Sequence, residues 1–170
     1  ASMRSRAVRD GDDWVLNGEK VWITHGGVAD VLLVFAQADP EAKHRGITAF
    51  VVPTDTPGLR RVEMDSPELG HKGANHARRY FEDLRLPDSA RIGEVGTGFK
   101  IAMRALDHGR VGVAAGAVGV HEACLEACLD FARKRRQFGR RIGDFQLVQK
   151  TITDMHTSLE ASRCLTLRAA

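Results

Sequence analysis

Three stretches of this 170-residue chain hold residue types whose spacing can do chemistry. In Trp22-Ile23-Thr24-His25-Gly26-Gly27, a large flat aromatic, a hydroxyl and flexible backbone fall together at the end of a strand-like run. Such a set can face a flat heterocycle, with the hydroxyl and backbone groups bonding its polar edge. A tryptophan on a strand serves equally well as plain core. In Leu106-Asp107-His108-Gly109-Arg110, the acid Asp107 and the base Arg110 lie one helical turn apart. That pair either holds a polar ligand group or closes into an ordinary ion pair. In Arg133-Lys134-Arg135-Arg136-Gln137-Phe138-Gly139-Arg140-Arg141, basic side chains surround one aromatic. Arginine forks match phosphate oxygens two at a time and Phe138 can stack on a base, so the stretch suits an anion pocket. A nuclear signal or nucleic-acid patch is the competing use.

His121, Cys124, Cys128 and Cys164 are zinc-ligand types, but Cys124 and Cys128 fall in an apolar stripe, where free cysteine behaves as a small hydrophobe. No metal ligand is assigned. Glycine-rich phosphate loops, serine nucleophile elbows and H-E-x-x-H are all absent. With 25 basic against 22 acidic residues, a net charge of +3 argues against an overall field for nucleic acid or a membrane surface. The excess is local to residues 133–141, which favours an anion pocket there. No apolar run approaches the ~20 residues of a membrane span, and the N-terminal stretch lacks the apolar core of a signal. Three cysteines make no disulfide framework. The expectation is a soluble protein of a reducing compartment, cytoplasmic or in the mitochondrial matrix, without a membrane partner.

The elements that must position these groups divide in two. Residues 7–86 read as β structure, with period-two runs broken by turn residues. Ala7-Val8-Arg9 leads through Asp10-Gly11-Asp12-Asp13 into Trp14-Val15-Leu16. Asn17-Gly18 then predicts a type I′ hairpin into Glu19–Ile23. Val31–Ala38 and Ile47–Val52 read as fully buried strands, and Pro57-Gly58 turns the chain into Leu59–Met64. Beyond a loop with Pro67, Gly70 and Gly73, Ala77–Leu86 forms a last strand ending at Pro87. Together they predict a small antiparallel barrel or sandwich over residues 1–92.

From residue 93 the pattern becomes helical. Phe99, Met103, Leu106, Arg110, Val113, Ala117, Val120, Cys124, Cys128 and Phe131 recur mostly every three or four residues, one stripe of a long helix. Ala105, Gly109, Gly112, Gly116, Gly119 and Ala123 form a second stripe of small residues. Helical glycine costs about 0.8–1 kcal/mol relative to alanine, so four of them predict a close backbone neighbour and burial on two sides. Alternatively, Gly109 and Gly112 break the helix. Thr97 is placed as N-cap, Arg133–Arg136 in the last turn, and Gly139 as the stop. Asp144 is then expected to cap a second, antiparallel helix with an apolar face of Phe145, Val148, Ile152, Met155 and Leu159. The fold class is α+β: a β domain at 1–92, then two long antiparallel helices of an incomplete four-helix bundle at 93–170. With no helix stop signal at its end, the chain reads as a piece of a longer protein.

Taken together, WVLNGEKVWITHGG, FEDLRLP, GTGFKIAMRALDHGRVGVAAGAVG and RKRRQFGRRIGDFQLVQ resemble the acyl-CoA dehydrogenase family, short-chain-like members most of all. The resemblance covers nearly all of the chain and implies the family's middle β domain, followed by the first two helices of its C-terminal domain. It implies FAD, and α,β-dehydrogenation of an acyl-CoA thioester in which a carboxylate takes the α-proton and the flavin takes the β-hydride. An acyl-CoA oxidase is the near alternative, and a family-like flavoprotein binding nucleic acid through residues 133–141 the distant one. Electron-transfer flavoprotein is the implied acceptor and a homotetramer the implied assembly.

By the same resemblance, Trp22, Ile23 and Thr24 lie along the flavin with the Thr24 hydroxyl near N5. Asp107 and Arg110 face the acyl-CoA. Arg135, Gln137, Phe138 and Gln146 hold the adenosine diphosphate half of FAD across a subunit interface. No catalytic residue is assigned. The family's Glu base stands either just before the arginine matched by Arg110, where this chain has Gly109, or on a loop far downstream. Asp107 lies about 200° from that position around a helix and does not replace it. His25 stands where the family usually has Asn, and Ala74-Asn75-His76 replaces a common Ser-Asp-Thr. A Thr-Glu-Pro-x-x-Gly-Ser-Asp segment that the family carries would precede Ala1.

Overall fold

Gly11 at φ +62° lets the chain reverse between β1 (Arg6–Asp10) and β2 (Asp13–Thr24), which pair antiparallel from Arg6↔Asn17 to Asp10↔Asp13. The computed structural model describes residues 3–64, 70 and 73–170; Pro67 of the expected loop lies outside them. The first hairpin therefore turns at Gly11-Asp12, and the turn expected at Asn17-Gly18 does not form. β2 runs straight through those residues because its partner, β6 (His76–Pro87), carries the extra length as a bulge around Asp83. Asn17 braces that bulge: its Nδ2 donates to the Asp83 carboxylate and its Oδ1 accepts from the Asp83 N–H, both at 2.9 Å.

β3 (Val31–Gln37), β4 (Ile47–Pro53), β5 (Leu59–Glu63) and the short β7 (Arg91–Ile92) complete one seven-stranded sheet in the order β5-β6-β2-β1-β3-β4-β7. Among the described residues β1 meets β3 in parallel, at Arg6↔Gln37, so the sheet is mixed where an all-antiparallel one was expected. Among the described residues it does not close into a barrel: β5 and β7 are its edges. It folds over one apolar interior built from Trp14, Leu16, Val34, Phe50, Phe81 and Leu84, with the Trp14 and Phe50 rings edge to face at 5.5 Å. β4 is buried from Ile47 to Phe50 and again at Val52, while Val51, expected inside, is exposed. β3 instead alternates, with Val31 and Leu33 facing out, because one of its sides is the outer face of the sheet.

After β7, Gly96 donates its N–H to Thr48 Oγ1 at 3.0 Å, and Gly98 begins α1 (Gly98–Lys134). Only glycine fits at 98, since a Cβ there would lie 2.8 Å from the Ile47 carbonyl oxygen. Thr97 stands at the N-cap position, its carbonyl accepting from Ile101, while its hydroxyl donates to the Glu94 carbonyl. The chain forms two compact units, Ala1–Met103 and Arg104–Ala170.

In the second unit α1 is unbroken through all four helical glycines. It ends at Lys134, so Arg135 and Arg136 lie beyond its last turn. β8 (Arg136–Gln137) and β9 (Arg140–Arg141) then form a hairpin, with Phe138 at φ +52° and Gly139 at +80°. Gly139 is thus a hairpin residue and not a helix stop; the paired positive angles are those of a tight β-turn. Ile142–Asp144 is a 3₁₀ turn, and α2 (Gln146–Ala169) starts after Phe145 without a side-chain cap. Asp144 therefore does not cap it.

α2 turns the expected face inward, with Leu159 buried and Val148, Ile152 and Met155 half-buried. On α1 the inward face is a different one: Val111, Ala114, Val118, His121, Leu125, Leu129 and Ala132. The helices run antiparallel, Glu122 pairing with Arg163 at 2.7 Å near one end, while Ala132 and Ile152 line one pocket near the other. One neighbouring helix covers one face only. The expected stripe of Met103, Leu106, Val113, Val120 and Phe131 is exposed, Val113 by 76%, and so are Cys124 and Cys128. A Cβ at Gly109, Gly112, Gly116 or Gly119 would meet nothing within 4 Å, so burial on two sides does not hold among the described residues. By length and mean hydropathy alone α1 is long and apolar enough to cross a membrane, which its short apolar runs did not suggest.

Candidate functional site

In the first unit the site is built at a fault in the β2–β6 ladder. The register slips between Lys20↔Arg79 and Ile23↔Ala77, leaving Val21 and Trp22 opposite Arg78 alone. Trp22 takes up the extra residue at φ +57°, an angle that costs a bulky side chain about 1–3 kcal/mol, and its ring is 57% exposed. Strain of this kind concentrates at functional positions. The ring makes an edge-to-face pair with His76 at 6.0 Å between centroids, and the Thr24 hydroxyl lies 3.1 Å from His76 Nε2. Ile23 packs against the core of the sheet, so its side chain is committed inward.

The loop after Thr24 is held from several sides. His25, also at φ +57°, donates its N–H to the Asn75 carbonyl at 2.8 Å, and Asn75 presses on Gly27, where a Cβ would come within 2.6 Å of its amide nitrogen. His25 and Asn75, both singled out in the sequence as departures from the pattern it resembles, thus meet in space. Arg79 donates Nε to the Gly26 carbonyl at 2.8 Å, and Arg61 donates to the Gly27 carbonyl. Arg61, Arg79 and Lys20 are direct cross-strand partners on β5, β6 and β2, a row of cations on one face. Burial pulls the Lys20 and Arg79 pKa values down, and for Arg79 the neighbouring Arg61 adds to it. A pocket of about 320 Å³ opens beside the row, lined by Lys20, Ile23, Thr24, Val31 and Phe35. The arginines behind the loop carried no sequence signal; only strand register reveals them.

The second unit holds the other predicted residues. Asp107 and Arg110 pair with each other at 3.2 Å and stand in solvent. This is the ordinary ion pair that the spacing left open. Phe138 projects from the hairpin tip, 91% exposed, with its edge toward Phe145 at 6.3 Å. Arg140 stacks over Phe145 at 4.0 Å, a cation–π contact. Arg135 is clasped by its backbone, its N–H donating to Phe131 and its carbonyl accepting from Ile142, both at 2.9 Å. Its guanidinium has no ion pair among the described residues. Gln137 sits on β8 and Gln146 opens α2, both exposed. A pocket of about 300 Å³ under the hairpin is lined by Ala132, Arg133, Arg141, Gly143 and Gln149, the last donating to the Gly143 carbonyl at 2.9 Å. Arg133 and Arg141 were visible in the sequence only as members of the basic run, and Gln149 was missed.

The family model for the acyl-CoA dehydrogenase middle domain matches residues 1–84, and that for the acyl-CoA dehydrogenase C-terminal domain matches 96–170. The chain belongs to the acyl-CoA dehydrogenase family. It is similar to the human mitochondrial short-chain specific acyl-CoA dehydrogenase, 43% identical over 170 residues that cover 100% of this chain and 40% of that protein. A probable acyl-CoA dehydrogenase of Mycobacterium tuberculosis is 44% identical over 100% of this chain and 43% of its own length. Among solved structures, butyryl-CoA dehydrogenase from Megasphaera elsdenii superposes with a TM-score of 0.94 at 38% identity, over 99% of this chain and 44% of that one. This acyl-CoA dehydrogenase chain therefore spans less than half the length of the relatives it matches. Its α1 lies wholly within the C-terminal domain match.

Proposed function

We propose that the full-length protein is an FAD-dependent acyl-CoA dehydrogenase, removing the α-proton and β-hydride of an acyl thioester, and that residues 1–92 and 93–170 are its middle domain and the first half of its C-terminal domain. Overall identity of 43–44% to acyl-CoA dehydrogenases, over all 170 residues of the chain, carries the reading. FAD, when bound, supplies the acceptor for the hydride. Trp22 and Thr24 are the residues for its ring system, supported by an aromatic held strained and outward beside a hydroxyl. Ile23 offers that ring its backbone. Arg135, Gln137, Phe138 and Gln146 are assigned to the adenosine diphosphate half bound by a neighbouring subunit of a homotetramer. The exposed Phe138 ring, and an Arg135 guanidinium without an ion pair among the described residues, support that assignment.

Asp107 and Arg110 are assigned to the acyl-CoA side, their mutual ion pair exchanging for substrate contacts. The base is a glutamate from further along the protein, since Gly109 has no side chain to serve. Electron-transfer flavoprotein is the acceptor, and the compartment is the cytoplasm or the mitochondrial matrix. The test is to purify the full-length protein and add acyl-CoAs of graded chain length. A yellow protein whose flavin absorbance bleaches with one of them is expected; a colourless protein, or a flavin that no thioester bleaches, overturns the reading. Duplex nucleic-acid affinity that falls steeply with salt would favour the basic hairpin as a nucleic-acid surface instead.

A further inference from the structure

Thr24 and His76 are register partners across β2 and β6, with the hydroxyl oxygen 3.1 Å from Nε2. A threonine hydroxyl has one hydrogen. When it donates that hydrogen to a bare Nε2, only its lone pairs are left for a ligand. When Nε2 carries the hydrogen, the hydroxyl accepts it and is free to donate onward. We propose that His76 is a positioning residue that decides whether the Thr24 hydroxyl donates to, or accepts from, the edge of the bound flavin; this rests on the flavin reading above. N5 of an oxidised flavin is an acceptor and N5–H of a reduced one is a donor. A hydroxyl that serves both states must reverse its sense, and imidazole can meet it either way at a single nitrogen. His76 is fixed for the task by its edge-to-face pairing with the Trp22 ring and by Met64, whose N–H donates to the His76 carbonyl at 3.0 Å. The next residue back, Asn75, is tied to His25 through its own carbonyl.

The experiment reads the ¹⁵N shifts of His76 in the full-length flavin-loaded protein, first oxidised and then reduced. Nε2 protonated with oxidised flavin and bare with reduced flavin is expected. In Thr24→Val, which removes the hydroxyl between the two groups, the tautomer should no longer follow the flavin. One unchanging tautomer in wild type, or a switch that persists in Thr24→Val, overturns the proposal and leaves the flavin reading standing. Wild-type protein that takes up no flavin overturns both.

Discussion

The guanidinium of Arg79, on a residue only 4% exposed, donates its Nε to the carbonyl of Gly26 across 2.8 Å. Gly26 is itself buried, so that carbonyl depends on Arg79. Replacing Arg79 with Met keeps most of the bulk and removes the donor. A buried carbonyl left unpaired costs about 1–3 kcal/mol, and the variant should show that loss in a urea titration, with faster amide exchange at residues 25–29. Equal stability in the two proteins would mean that the loop holds itself.

Trp14 Nε1 and Arg91 converge on one carboxylate, Asp88, at 2.8 Å and 3.1 Å. Arg91 first, then the indole, hold the Asp88 pKa well below the usual carboxylate range. A carboxyl depressed in the folded state stabilises it above the unfolded pKa, and that contribution fades as pH falls through the folded value. The advantage of wild type over Asp88→Asn should therefore be constant at neutral pH and shrink below about pH 4. Urea midpoints between about pH 6 and pH 2 check it; a gap that widens on acidification would refute it.

Gly18 shows how tightly β2 is fitted. Its φ is +131°, and a Cβ there would lie 2.7 Å from the Ser5 Cα. Gly18→Ala should cost at least the about 1–3 kcal/mol of a forbidden backbone angle, with more from the displaced N-terminal segment. A melting temperature equal to wild type would show that this segment yields freely.

The glycine stripe of α1 now carries the opposite expectation from the one its spacing suggested. Open space surrounds Gly116, so in this chain Gly116→Ala should stabilise the helix by about 0.8–1 kcal/mol through propensity alone. Thermal melts of the 170-residue chain read this directly. A loss of stability would reveal a neighbour that packs on the stripe.

Phe138→Ala at the hairpin tip and Arg135→Ala just before the hairpin remove exposed side chains that the fold does not lean on. Neither should move the melting temperature of the chain by more than the roughly ±0.5 kcal/mol of an ordinary surface change. In the full-length protein each should weaken FAD retention, Arg135→Ala about tenfold or more, the worth of a charge-assisted bond. Flavin content after dialysis is the measurement. Full retention in both variants would remove these residues from the cofactor site.

The α+β class, most strand positions, the inward face of α2 and family membership were all legible in the residues, because each rests on short-range periodicity or on ordered motifs within one segment. Tertiary structure alone decided what depends on a partner distant in sequence. Asn17-Gly18 has the composition of a turn, yet Asp83, 66 residues away, makes it a brace in a continuous strand. Phe138-Gly139 makes the tight turn instead, because Arg136 and Arg141 pair across it. On α1 the period pointed to the stripe from Phe99 to Phe131, yet Val111, Val118, Leu125 and Leu129 recur on a different face, and that face is the buried one because α2 lies against it. Arg61 and Arg79 are anonymous in the sequence; strand register alone sets them side by side on successive carbonyls of the loop beyond Thr24.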